Sequence, residues 1–136
     1  RWQKFHPLFL ESLKRYRVLR FMSLQRVQTD VNVTVADRTW SDRTPPTFFS
    51  QVAGRDGASW ENIIDLANTL HVDPWINIPY NAADDYILNL TKFLRARLNP
   101  RLKPVVEYGN EVWSGDGYAG FYAQSQAVKL GLDSGS

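Results

Sequence analysis

Cysteine is absent from the chain, which excludes disulfides and thiolate metal sites and leaves the redox compartment open. No apolar run approaches the roughly 18 residues of a membrane span, and no signal peptide is visible, so a membrane partner is not expected. Neither charge dominates: 16 basic residues face 14 acidic ones, for a net charge of +2. The basic residues (Lys14, Arg15, Arg17, Arg20; Arg95, Arg97, Arg101, Lys103) are interleaved with acids and build no single basic face, so a nucleic acid is not an expected partner. No candidate strand is followed by G-x-G-x-x-G or G-x-x-x-x-G-K, which removes the usual nucleotide-binding signatures. Low-complexity segments and convincing internal repeats are missing too. What remains is a globular composition, 136 residues with 43% hydrophobic and 22% charged, and one domain is the expectation.

Taken in order, the residues alternate between two periodicities. Residues 2–16 predict a helix, with Phe5, Leu8, Phe9, Leu13 and Tyr16 near one face and Pro7 in its first turn. The chain begins at Arg1, without Met, inside this helix, and a missing N-terminal part is expected. Residues 18–24 read as a strand apolar on both faces, as parallel strands are. Arg20 is its exception, either pointing inward with the parity of Met22 and Leu24 or reaching to solvent from the strand edge. Residues 25–58 form a long polar loop, in which 31–35 alternate as a short hairpin strand would. Trp40 stands in the middle of it, as a sugar-stacking platform or as a plug that closes the loop on itself. Ser59 is a helix N-cap for a helix through about Leu70. His71, alone at that helix's C-terminus, reads as a dipole partner rather than a ligand. The segment 75–81 is the next strand, preceded by a turn at 71–74. In it Asn77, polar between two isoleucines, is a substrate contact or a satisfied buried amide. Tyr80 lies past the strand end. Asp84-Asp85 open a helix at its positive end and need no metal to explain them. Ile87, Leu88, Leu90, Thr91, Leu94 and Leu98 are its predicted inward face. A strand over 104–110 and a helix over 118–130, closed by Gly131, complete the chain. Such alternation predicts an α/β fold with a parallel sheet and right-handed crossovers.

The segment 103–113 carries the chemistry. An apolar strand ends on Asn110-Glu111, with Trp113 just beyond. A carboxylate at the end of such a strand is costly unless it is hydrogen-bonded or used. An Asn before it can position a hydroxyl, and a Trp after it offers a flat face to a sugar ring. Trp75, Tyr80, Tyr108 and Trp113 are either substrate-facing aromatics or core; Trp75, inside a strand, is assigned to the core. Glu107 is not a second catalytic carboxylate for Glu111. Four residues of strand place the two about 13 Å apart, against about 5–5.5 Å for a retaining pair of carboxyl groups. Glu107 is read instead as an ion-pair partner for an Arg, Arg20 among the candidates, or as part of a barrel floor.

Asn-Glu at a strand end, in the setting DPWINIPYNAADDYI followed by VVEYGNEVW, resembles the fourth-strand signature of the retaining (β/α)8-barrel glycoside hydrolases. The wider pattern is similar to an uncharacterised bacterial branch of that clan, often attached to cellulose-binding modules. A whole barrel of this kind needs roughly 200 residues or more. The resemblance therefore implies about half a TIM barrel, strands 2–4 with their helices, truncated at both ends. It implies Glu111 as the acid/base, Asn110 on a sugar hydroxyl and Arg20 in the catalytic centre, with Asn77, Tyr80, Trp113 and Trp40 lining the substrate site. The clan's nucleophile, a Glu on the seventh strand, has no counterpart here, so hydrolysis is expected of a full-length parent and little of this fragment alone. A carbohydrate substrate, no metal or organic cofactor, export from the cell, and a possible carbohydrate-binding module in the parent chain complete what it implies. A non-catalytic carbohydrate-binding barrel or scaffold domain is the alternative.

Overall fold

A computed structural model describes residues 3–27, 37–52, 57–114 and 117–132. Seven elements and one 3-10 turn follow in sequence: helix α1 (Pro7–Leu13), strand β1 (Val18–Arg20), the 3-10 turn Trp40–Asp42, helix α2 (Trp60–Leu70), strand β2 (Asp73–Ile78), helix α3 (Asp84–Arg97), strand β3 (Val105–Tyr108) and helix α4 (Tyr118–Lys129). The three strands form one parallel sheet in the order β1-β2-β3. The chain is thus a mixed α/β protein with the parallel alternation its sequence predicts.

Local chemistry sets most boundaries. Ser59 caps α2, its hydroxyl accepting from the Asn62 amide at 3.2 Å. His71 closes the same helix with φ +56, in the left-handed region, so its role is that of a C-cap. Gly131, at φ +68, follows α4. Helix α1 is shorter than the predicted 2–16, because the residue before a proline is pushed out of the helical region; His6 is extended and caps the helix with its ring. β1 stops at Arg20 because the chain turns at once, the Gln25 amide bonding back to the Phe21 carbonyl at 2.9 Å. The 31–35 hairpin expectation lies outside the described residues.

β2 starts two residues earlier than predicted and holds Pro74, although it is the central strand. A parallel strand bonds its two neighbours with alternate residues. The Asp73 amide reaches the Arg17 carbonyl and the Trp75 carbonyl takes the Phe21 amide, both toward β1. The Ile78 carbonyl takes the Gly109 amide on the β3 side. Pro74 belongs to the set facing β3, which first pairs at Val105, opposite Trp75. Its missing N–H therefore breaks no rung.

The core lies on one face of the sheet. Ile76 and Ile78 of β2 join Ile63, Ile64 and Leu66 of α2 and Tyr86 and Leu90 of α3. Complete burial of a side chain such as Ile63, Ile64 or Leu90 stabilises by about 1.5–3 kcal/mol. Within it the Trp60 indole donates to the Tyr86 hydroxyl at 2.8 Å. The stripe is narrower than predicted: Ile87 and Leu88 of α3 are exposed, as are Val105, Val106 and Tyr108 of β3. Three strands cover only part of the helical layer, and among the described residues β3 pairs with β2 alone. A groove of about 600 Å³ opens between the end of α3 and the start of β3, at the opposite end of that strand from Asn110.

Candidate functional site

Strand register brings the polar residues together. Arg20 pairs with Trp75 and Asn77 pairs with Glu107, so all four share the face opposite the core. Arg20 grips Glu107 with two groups: Nε donates to Oε2 at 3.2 Å, and Nη2 donates to Oε1 at 2.9 Å and Oε2 at 2.8 Å. The remaining Nη2 proton goes to Asn110 Oδ1 at 2.5 Å. The Trp75 indole donates to Glu107 Oε2 at 2.8 Å, and the Arg20 guanidinium lies 5.0 Å from the centre of the Trp75 ring. Burial pushes the Glu107 carboxyl up, but hydrogen bonds from Arg20 and Trp75, the Arg20 charge and a hydrogen bond from Asn77 outweigh it and hold the group below its ordinary value. Glu107 is thus an ionised anchor, paired with Arg20, one of the candidate partners the sequence offered. Trp75, assigned to the core from its strand position, instead lines this polar face.

The next three residues shape the tip of β3. Gly109 sits at φ +60 and Glu111 at φ +48, both in the left-handed region. Asn77 is fully buried and donates from Nδ2 to the Gly109 carbonyl at 2.7 Å, which fixes the start of this turn. The Glu111 carbonyl accepts from the Ser114 amide at 2.8 Å and fixes its end. Asn110 is buried between them. The Glu111 carboxylate is exposed and bonds no described residue. A glutamate held in the left-handed region costs about 1 kcal/mol or more relative to glycine.

The remaining predicted site residues divide. Trp113 is 84% exposed beyond the turn, free to meet a ligand. Tyr80 is buried, its carbonyl accepting from the Tyr108 hydroxyl at 2.7 Å and its ring 5.4 Å from that of Tyr122. Burial pushes the Tyr108 hydroxyl up, so it stays a donor to that carbonyl. Trp40 packs on α3, 5.4 Å from Tyr86 and 5.9 Å from Phe93, with Arg43 4.3 Å from its ring and its amide bound to Asp85. Those contacts favour the plug of its two readings. They also give Asp85 a structural task. Asn77 gives Nδ2 to the Gly109 carbonyl, and its buried Oδ1 has no hydrogen-bond partner among the described residues. The structure thus brings Arg20 and Asn110 into direct contact beside Glu111, and adds Glu107 and Trp75 to them. Among the described residues, no group of three or more His, Cys, Asp or Glu side chains gathers as a metal site would require, and no helix is long and apolar enough to cross a membrane.

No family model matches the chain, and no curated protein or solved structure is found to be similar to it.

Proposed function

We propose that this chain is part of a (β/α)8-barrel glycoside hydrolase acting on a β-linked oligosaccharide or polysaccharide, with Glu111 as its acid/base. The observation that carries the reading is the 2.5 Å bond from Arg20 to Asn110, made where β3 ends and next to an exposed carboxylate. Parallel strands of α/β barrels build their sites at this end. Asn110 meets a sugar hydroxyl, Arg20 holds Asn110 in place, and Trp113 stacks on a ring face. Glu107 is already neutralised by Arg20, so the nucleophile of a retaining pair comes from elsewhere in the barrel.

In the mechanism, Glu111 acts as the general acid and gives a proton to the departing glycosidic oxygen. It then takes a proton from the water that releases the sugar. Replacing Glu111 with Gln in the full-length protein removes that proton. Aryl β-glycosides with poor leaving groups should then lose turnover, while those with good leaving groups keep their first step. Unchanged turnover of the poor leaving groups overturns the assignment. The rival reading, a barrel that binds sugar without cleaving it, draws on the exposed Trp113. Saccharide binding by the full-length protein with no turnover of any aryl glycoside would favour it.

A further inference from the structure

The Glu107 carboxylate of the polar face touches no ligand-facing position, yet two neighbours converge on it. Arg20 donates to both oxygens of Glu107, and Trp75 donates to one of them. A guanidinium only donates. The atom of Asn110 that meets Arg20 must therefore be its oxygen, since the flipped amide would set two donors against each other. Asn110 Nδ2 is left with no partner among the described residues.

We infer that Glu107 is a positioning residue for Asn110: it immobilises Arg20, Arg20 holds the Asn110 oxygen, and the site presents a ligand with a donor at Nδ2 and no acceptor there. The group it recognises is one that accepts, such as the oxygen of a ring hydroxyl. Only this last step, the nature of the ligand, rests on the glycoside reading. Arg20 without its carboxylate regains the freedom of a long side chain, and the Asn110 amide regains its flip. The backbone turn has a separate anchor, because the Gly109 amide donates to the Ile78 carbonyl while its own carbonyl takes Asn77 Nδ2. Loss of Glu107 should therefore disturb the amide and spare the turn.

The test uses this chain labelled with ¹⁵N, its Asn110 side-chain amide assigned through Asn110→Asp. In the native chain the two Nδ2 protons should be separate and rigid. In Glu107→Gln, and again in Arg20→Lys, they should collapse toward the shifts of solvated asparagines while the Gly109 backbone amide stays in place. Either variant suffices if the other fails to fold. Signals that stay at their native positions in a folded variant overturn the positioning role. Cellotetraose is then titrated into both chains, with an expected loss of affinity of about tenfold in Glu107→Gln. If cellotetraose moves nothing in the native chain while the amide collapses in the variant, the positioning role holds and the carbohydrate reading falls. If cellotetraose binds both chains alike and the amide does not move, the positioning role falls and the carbohydrate reading stands.

Discussion

Glu111→Gly should make this protein more stable. The backbone at Glu111 has φ +48, a region that costs a side chain bearing a Cβ about 1–2 kcal/mol and glycine almost nothing. Against this gain stands the larger freedom of glycine in the unfolded chain, about 0.4–1 kcal/mol. The carboxylate bonds no described residue and is exposed, so its removal subtracts nothing further. The net expectation is a gain of about 0.5–1 kcal/mol, or a urea midpoint raised by about 0.3–0.7 M at a slope of about 1.5 kcal/mol per M. Gly109→Ala is the opposing control. There φ is +60 and a Cβ would lie 2.8 Å from Val112 Cγ2, so a loss of about 1–2 kcal/mol is expected. Tryptophan fluorescence against urea measures both. A Glu111→Gly chain that loses more than about 0.5 kcal/mol would show that the carboxylate supports the fold, and the strain argument would be wrong. A gain, coupled with lost chemistry in the full-length protein, is the pattern of a residue kept for its reaction and not for its fold.

Glu107→Gln should cost about 1–2 kcal/mol, between an exposed and a buried pair, because the Arg20 and Glu107 side chains are 34% and 26% exposed and solvent screens them in part. The folded carboxyl lies below its ordinary 4.5, so the contribution is complete above that pH and disappears as pH falls through the folded value. The stability gap between native and variant in urea should therefore close in acid; a gap that widens there contradicts the pairing. Trp40→Ala should lower stability by about 2–4 kcal/mol, read from urea midpoints, since its ring packs on Tyr86 and Phe93. Trp113→Ala should change stability by less than about 0.5 kcal/mol while weakening oligosaccharide binding about tenfold, about 1.4 kcal/mol, in a calorimetric titration.

Local signals made part of this legible from sequence alone. The Ser59 cap, the acids of α3 and Gly131 act within a turn of the residues they control, and each marks its boundary. The distance along the strand from Glu111 sufficed to take Glu107 out of the catalytic pair and left Arg20 among its candidate partners. The extent of β2 did not follow, because Pro74 is a turn signal unless the bonding side of each residue is known. Trp75 passed for core because its strand is apolar. Only the register, which pairs Trp75 with Arg20 and places Asn77 beside Glu107, puts it on the polar face. Ile87 and Leu88 have the spacing of a buried stripe, but the sheet is too narrow to cover them. The bond from Arg20 to Asn110 joins residues 90 apart in sequence and depends on a left-handed turn at a single glycine.

Gln25 has one more consequence. Its side chain gives Nε2 to the Asn77 carbonyl at 3.0 Å and takes the Asn77 amide on Oε1 at 3.1 Å. β1 has ended by then, so a primary amide impersonates the missing peptide group and extends the ladder by one rung. A peptide rung cannot be edited, whereas this one can. Gln25→Leu would leave both Asn77 backbone groups dry and unanswered, while Gln25→Glu would answer only one of them. The deuterium exchange rate of the Asn77 amide therefore reports how firmly the Gln25 side chain closes the upper rim of the sheet.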